Sequence, residues 1–170
     1  MSDVVTEFGS LKDYRMGGVE VIDDDPKNYV FSNIFDVAAH SKPYERVAVA
    51  KNFEYVIEAT RAEGISPWYT CAHDEFTVAM DGEVTVELIK LDDPDALVAQ
   101  DSQGAHLIEG KPEGRKMGRI QLRRGHMALL PVGSAYRFTA EAPCCIILQS
   151  IDGPVTVQKW AEICQTKSLV

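Results

Sequence analysis

Trp68-Tyr69-Thr70-Cys71-Ala72-His73-Asp74-Glu75 runs directly into Phe76-Thr77-Val78-Ala79-Met80-Asp81-Gly82, and this stretch decides the fold. Phe76, Val78 and Met80 recur with the period of two that marks a β-strand, then stop at Asp81-Gly82, a dipeptide suited to a tight hairpin. Val84, Val86 and Leu88 resume the same period, so the segment reads as strand, turn, strand. Downstream, Gly125, Pro131, Gly133 and Tyr136 form a second, sparser pattern. Gly82 and Gly133 fit turns that need φ > 0, which glycine adopts without a Cβ clash.

Working outward, the period is two from Val47 onward. Phe53, Tyr55, Ile57 and Ala59 alternate with Glu54, Val56, Glu58 and Thr60, which predicts a half-buried strand. Ile120 and Leu122, Met127 to Leu130, and Tyr136 with Phe138 predict further strands, and Cys145 to Ile151 is an apolar run suited to a strand buried on both faces. Residues 17–27 hold a short strand-like run ended by an acidic turn. Phe31, Ile34, Phe35 and Ala38 recur at i, i+3, i+4 and i+7, predicting a short amphipathic helix over 33–40 with Ser32 as its N-cap. That helix reads either as a lid over one barrel end or as a docking surface. Residues 92–118, with their prolines, aspartates and basic end, predict a solvated loop, and Trp160 to Cys164 about one helical turn. Many short strands between Gly and Pro turns indicate an all-β sandwich or barrel, without internal repeat.

The chain's 170 residues suffice for one domain with a sizeable core. A formal net charge of -9 argues against nucleic acid, whose phosphates want a basic surface. No apolar run is long enough for a membrane span, and the N-terminus lacks the basic and apolar regions of a signal peptide. Cys71, Cys144, Cys145 and Cys164 show no metal-type spacing and are expected as reduced thiols in a cytoplasm.

The two loops resemble the halves of the cupin motif, H-x-H-x3-4-E-x6-G and G-x5-P-x-G-x2-H. Glu75 with Gly82, then Gly125, Pro131 and Gly133, match it, whereas Tyr69, Cys71 and Tyr136 stand where the motif has histidines. Imidazoles and carboxylates are what a non-haem Fe(II) site uses, and a phenol must first lose its proton to ligate strongly. The resemblance therefore implies an all-β cupin jelly-roll β-barrel with a short N-terminal helix and a C-terminal helical turn, and with its metal motif degenerate. On this reading residues 1–16 are an N-terminal arm, expected to be loose, and 17–170 a single degenerate cupin domain.

In such a barrel the vestigial positions Tyr69, Cys71, Glu75 and Tyr136 point inward at one end. Glu75 is costly there unless it is paired, hydrogen-bonded or protonated, and Tyr136 or Tyr69 is placed to donate to it. His73 and His126 are candidate substitute ligands that would join Glu75 around a metal. His40 and His106, at a helix end and in a loop, are expected to be solvated. Trp68, beside Pro67, is either a rim anchor or a subunit contact. Arg115, Lys116, Arg119, Arg123 and Arg124 make a positive stretch that reads as a solvated face, or as a surface meeting an acidic patch on a partner.

Longer segments are similar to the small subunit of the two-component hydroquinone 1,2-dioxygenases. They include Tyr55-Val-Ile-Glu-Ala59, Ser66-Pro-Trp68-Tyr69, His73-Asp-Glu-Phe76, Gly114-Arg-Lys-Met-Gly-Arg119, Gly125-His-Met-Ala-Leu-Leu-Pro131 and Lys159-Trp-Ala-Glu-Ile-Cys164. The resemblance implies a partner, the large (β) subunit, in an α2β2 heterotetramer that cleaves hydroquinone with O2 to 4-hydroxymuconic semialdehyde. It places the Fe(II) cofactor in that large subunit, and leaves Trp68 or Phe31, Ile34 and Phe35 as candidate contacts with the partner or its active-site mouth. Three rivals stay open. One is a self-sufficient cupin enzyme with iron on His73, Glu75 and His126; another is a ferric-phenolate site using Tyr69 and Tyr136 with a histidine. The third is a small-molecule-binding or scaffold cupin.

Overall fold

The computed structural model describes residues 8–25, 31–164 and 166–168. In chain order the elements are β1 (Val19–Val21), α1 (Ile34–Ala39), β2 (Arg46–Asn52), β3 (Tyr55–Ile65), β4 (Trp68–Cys71), β5 (Glu75–Ala79) and β6 (Glu83–Leu91). They continue with β7 (Ala105–Ile108), β8 (Gly114–Arg123), β9 (Met127–Leu130), β10 (Ser134–Ile151), β11 (Thr156–Val157), α2 (Trp160–Ile163) and β12 (Thr166–Ser168). The all-β class is as expected. Pro26 and Lys27, at the end of the expected acidic turn, lie outside the described residues, as do residues 1–7 of the arm.

The long strand β10 joins two sheets. Its first half pairs with β6 on one side and with β4 on the other, and β8 and β7 extend those edges. Its second half, beyond an irregularity between Ala140 and Cys144, pairs with β3 and β5, and the sheet continues to β2, β11 and β9. A strand that changes sheets at a bulge is how an antiparallel sheet turns a corner and closes. Between the halves lies the main core, including Tyr69, Val84, Val86, Leu122, Leu130, Tyr136, Phe138, Ile146 and Leu148. The expected turn glycines hold the corners: Gly82 has φ 60, and a Cβ there would lie 2.5 Å from Cys144 Cβ. Gly133 has φ 74.

Several local expectations are corrected. The helix is α1, and its N-cap is Asn33 rather than Ser32: the Asn33 side chain accepts from the backbone N–H of Phe35 at 2.9 Å and of Asp36 at 3.3 Å. The helix packs on the outer wall, where Val37 meets Val47, Ala59 and Ile163, and not over a barrel end. The 92–118 region contains β7 and the first half of β8. That half is exposed and lacks the apolar alternation that signals a strand; it is held by backbone pairing with β6, which continues through the expected strand at Ile120 and Leu122. In β3 the inward face is Val56, Glu58, Thr60 and Ala62, while Tyr55 is exposed and Phe53 sits in the preceding turn. The polar set of the alternation faces the core because Glu58 finds a cation there.

Residues 8–16, expected as a loose arm, are held. The Leu11 N–H donates to Asp81 Oδ2 at 2.5 Å, and the other oxygen of Asp81 accepts from the Cys145 N–H at 2.6 Å, which ties the arm to the β5–β6 turn. Tyr14 stacks on Phe35 and donates to Asp36 of α1.

Candidate functional site

The antiparallel pairings of β3, β10 and β5, with β4 beside the first half of β10, aim four polar side chains at one point inside the barrel: Glu58, Tyr69, Glu75 and Tyr136. At that point lies Arg46, from the first position of β2. Its Nη2 donates to Glu75 Oε1 at 2.6 Å, its Nη1 to the Tyr136 hydroxyl at 2.9 Å and its Nε to Glu58 Oε2 at 2.5 Å. Tyr136 in turn donates to the other oxygen of Glu75. Thr156 of β11 donates to the other oxygen of Glu58 at 2.6 Å. Tyr69 and Tyr136 stack with centroids 5.6 Å apart, and the guanidinium lies over the Tyr69 ring at 5.7 Å. Glu58 and Glu75 are both 0% exposed, and Arg46 is 3% exposed.

The two carboxylates respond oppositely to this setting. Burial alone would raise Glu75, but the charge of Arg46 together with Cys71, Ser150 and Tyr136 facing it outweigh that and hold its pKa below the ordinary value. Burial raises Glu58, and Arg46 and Thr156 offset it only in part. Burial would also lower Arg46, yet Glu75, Tyr136 and Glu58 push it further up, so it is a permanent cation. Burial, then the Glu75 charge, raises both Tyr136 and Cys71, so the phenol and thiol keep their protons. The result is a closed polar core in which Glu75 is ionised, Tyr136 is a neutral donor and neither offers a nucleophile or a base poised for chemistry.

An iron ion does not fit these residues. Both oxygens of Glu75 are committed, and the place a metal would take between Glu75, Tyr136 and Tyr69 is filled by a guanidinium that would repel it. Among the described residues no group of three or more His, Cys, Asp and Glu side chains converges as a ligand set.

The structure brings together the four vestigial positions: Tyr69, Glu75 and Tyr136 at the guanidinium, with the Cys71 thiol facing Glu75. It does not bring His73 and His126 to them. His73 Nε2 accepts from the Gly104 N–H at 3.2 Å, while its Nδ1 lies 3.0 Å from the Asp74 carbonyl, tying it to the β6–β7 connection. His126 is exposed in the β8–β9 turn, where its Nδ1 accepts from the Arg123 N–H at 3.2 Å. His106 is in β7, not a loop, and its Nε2 lies 2.9 Å from Ser102 Oγ. Trp68 is on the outer wall, under the Arg137 guanidinium at 4.7 Å, which pairs with Glu87. Lys116 and Arg119 line the same cleft, Arg123 pairs with Glu83 at 2.8 Å, and Arg124 lies over Phe8. Phe31, Ile34 and Phe35 are each partly covered by their own chain. Sequence reasoning missed Arg46, Glu58 and Thr156. The signal for the first two was a glutamate in register with Val56 and Thr60 and a buried Glu75 still in need of a cation.

The chain is 71% identical, over 97% of its length, to a chain in the crystal structure of hydroquinone 1,2-dioxygenase from Sphingomonas sp. TTNP3 with 4-hydroxybenzoate bound; the match covers 99% of that chain with a TM-score of 0.93. It is 53% identical over 96% of its length to a chain of the hydroquinone 1,2-dioxygenase PnpCD in complex with Cd2+ and 4-hydroxybenzonitrile, covering 98% of that chain with a TM-score of 0.89. A different chain, in the structure of PnpCD with Fe3+, shares only the fold, at 14% identity and a TM-score of 0.54. There 72% of this chain spans 32% of that one, so that chain is more than twice as long. No protein-family model and no curated protein matches the chain.

Proposed function

Because this chain belongs to the hydroquinone 1,2-dioxygenase family, we propose that it is the non-catalytic small subunit of such an enzyme. In this reading it works by contact with a large subunit of the same fold, which carries the Fe(II) and opens the ring of hydroquinone to 4-hydroxymuconic semialdehyde. The observation that carries the reading is the closed barrel: the one carboxylate retained from the metal motif is spent on Arg46 and Tyr136. Length supports it too, since structures of these enzymes contain chains of this size alongside one more than twice as long. An α2β2 assembly is the arrangement proposed. Free thiols at all four cysteines agree with a reducing, cytoplasmic setting. Among the described residues no helix is long and apolar enough to cross a membrane.

The wall of β5 and β9 supports a partner as well. Phe76 of β5 and Met127 and Leu129 of the edge strand β9 point outward there and are 40%, 63% and 43% exposed. A run of apolar side chains on an outer face is what an interface covers. It is a stronger candidate for the subunit contact than Phe31, Ile34 and Phe35, which this chain partly covers itself.

Co-expression with a large subunit of this family tests the proposal. The pair is expected to co-purify and to take up oxygen with hydroquinone, whereas the small chain alone is inactive. Stoichiometric iron and turnover in the isolated chain would overturn it.

A further inference from the structure

We propose that Arg46 is the built-in cation of this barrel, occupying the position a metal would need, and that this occupancy bars a divalent metal even where the missing histidines are restored. The guanidinium touches three of the four positions that match ligands in the cupin motif: it donates to Glu75 at 2.6 Å and to Tyr136 at 2.9 Å, and covers the Tyr69 ring at 5.7 Å. Its remaining edge donates to Glu58 at 2.5 Å, a carboxylate outside the motif. A planar fork with several fixed donors matches this arrangement better than an ammonium would, and it does not lose its charge near neutral pH.

The arginine is not free to swing aside. Arg46 pairs with Thr156 across β2 and β11, and Thr156 is the residue that donates to the second oxygen of Glu58. Backbone pairing therefore fixes the cation and its second counter-ion together. Restored histidines would face carboxylates already bonded to a cation sealed from water, and a second cation there would meet repulsion with little screening. The inference stands on the geometry of this chain alone, so failure of the subunit reading would leave it intact.

The test uses the full chain in three forms: Tyr69→His/Cys71→His/Tyr136→His with Arg46 kept, the same three changes with Arg46→Met, and that second form with Glu75→Gln added. Each is titrated with Co(II), read by its visible d–d bands and by metal retained after desalting, with near-UV circular dichroism checking the fold. The expected result is no Glu75-dependent cobalt in the first form, a single retained Co(II) in the second, and loss of it in the third. Equal binding by the first and second forms would overturn the proposal, as would a folded second form that retains no cobalt. Should the histidine variants not fold, the cycle between Arg46→Met and Glu75→Gln decides by denaturant midpoint. Glu75→Gln is expected to lower the midpoint when Arg46 is present and to raise it in the Arg46→Met background. A lowering in both backgrounds would overturn the proposal.

Discussion

Strand β5 carries two neighbours with inverted surroundings. Glu75, a carboxylate, is 0% exposed inside the barrel; Phe76, an aromatic, is 40% exposed outside it. The two faces differ in what they find opposite. The inner face meets Arg46 and Tyr136, which supply the charge and the hydrogen bonds a buried carboxylate requires. The outer face lies beside Leu129 and Met127 of the edge strand β9, and these are exposed as well. A buried charge with every bond satisfied looks inward; the apolar side chains on the outer face of the same strand are left partly bare. The contrast agrees with the proposed role through contact.

Removing the cation breaks the inner half of the comparison and has the largest expected effect. Arg46→Ala leaves two buried carboxylates uncompensated and should cost about 3–5 kcal/mol in urea unfolding. Adding Glu58→Gln to it should recover part of that loss, because one uncompensated charge is then gone. A loss below about 1 kcal/mol for Arg46→Ala would mean that the cluster is not a closed charge network.

Charging the outer half sharpens the comparison. Met127→Asp or Leu129→Asp should weaken co-purification with the larger subunit by tenfold or more, about 1.4 kcal/mol. The isolated chain should melt within about 0.5 kcal/mol of the parent, as substitutions at exposed sites do. Unchanged assembly would move the contact elsewhere, with Trp68 and its basic cleft the next place to charge.

Acid separates the two carboxylates. Glu75, held low when folded, contributes stability that is present above the ordinary carboxylate value and is lost as pH falls through its lowered folded value. Glu58, raised when folded, works in the opposite direction: stability drops as pH rises from the ordinary value through its raised one. Glu75→Gln should therefore flatten the acid side of the stability–pH curve, and Glu58→Gln the side just above it. Superimposable curves for the two variants would contradict the opposed shifts. The smallest effect is expected for Glu83→Gln, since the Glu83–Arg123 pair is about 70% exposed on both sides. It should leave the thermal midpoint unchanged within error.

Much of the fold was legible in the residues. The hairpin at Asp81-Gly82, the corner at Gly133, the return strand of Val84, Val86 and Leu88, the helix over Ile34 to Ala39 and the final turn at Trp160 all follow local rules of period and backbone freedom. The four vestigial positions were legible too, through spacing. β7 and the first half of β8 were not, because an exposed strand held by its neighbour's backbone needs no apolar alternation of its own. The inward face of β3 was misread for a related reason: period two says that a strand has two faces, and the partner says which one is inside.

The sequence by itself determined that this chain makes a barrel with turns at its glycines and that one carboxylate of a metal motif survives without its histidines. Only the tertiary structure decided what that carboxylate binds. Arg46 reaches Glu75 across 29 residues and Tyr136 across 90, and Tyr136 reaches Glu75 across 61. Those meetings are made by strand pairing between β2, β3, β10 and β5, and no local period encodes them. A turn is a property of neighbouring dihedral angles, readable one residue at a time, whereas the pairing of a buried charge belongs to the closed barrel, where low dielectric and excluded water make its partner decisive.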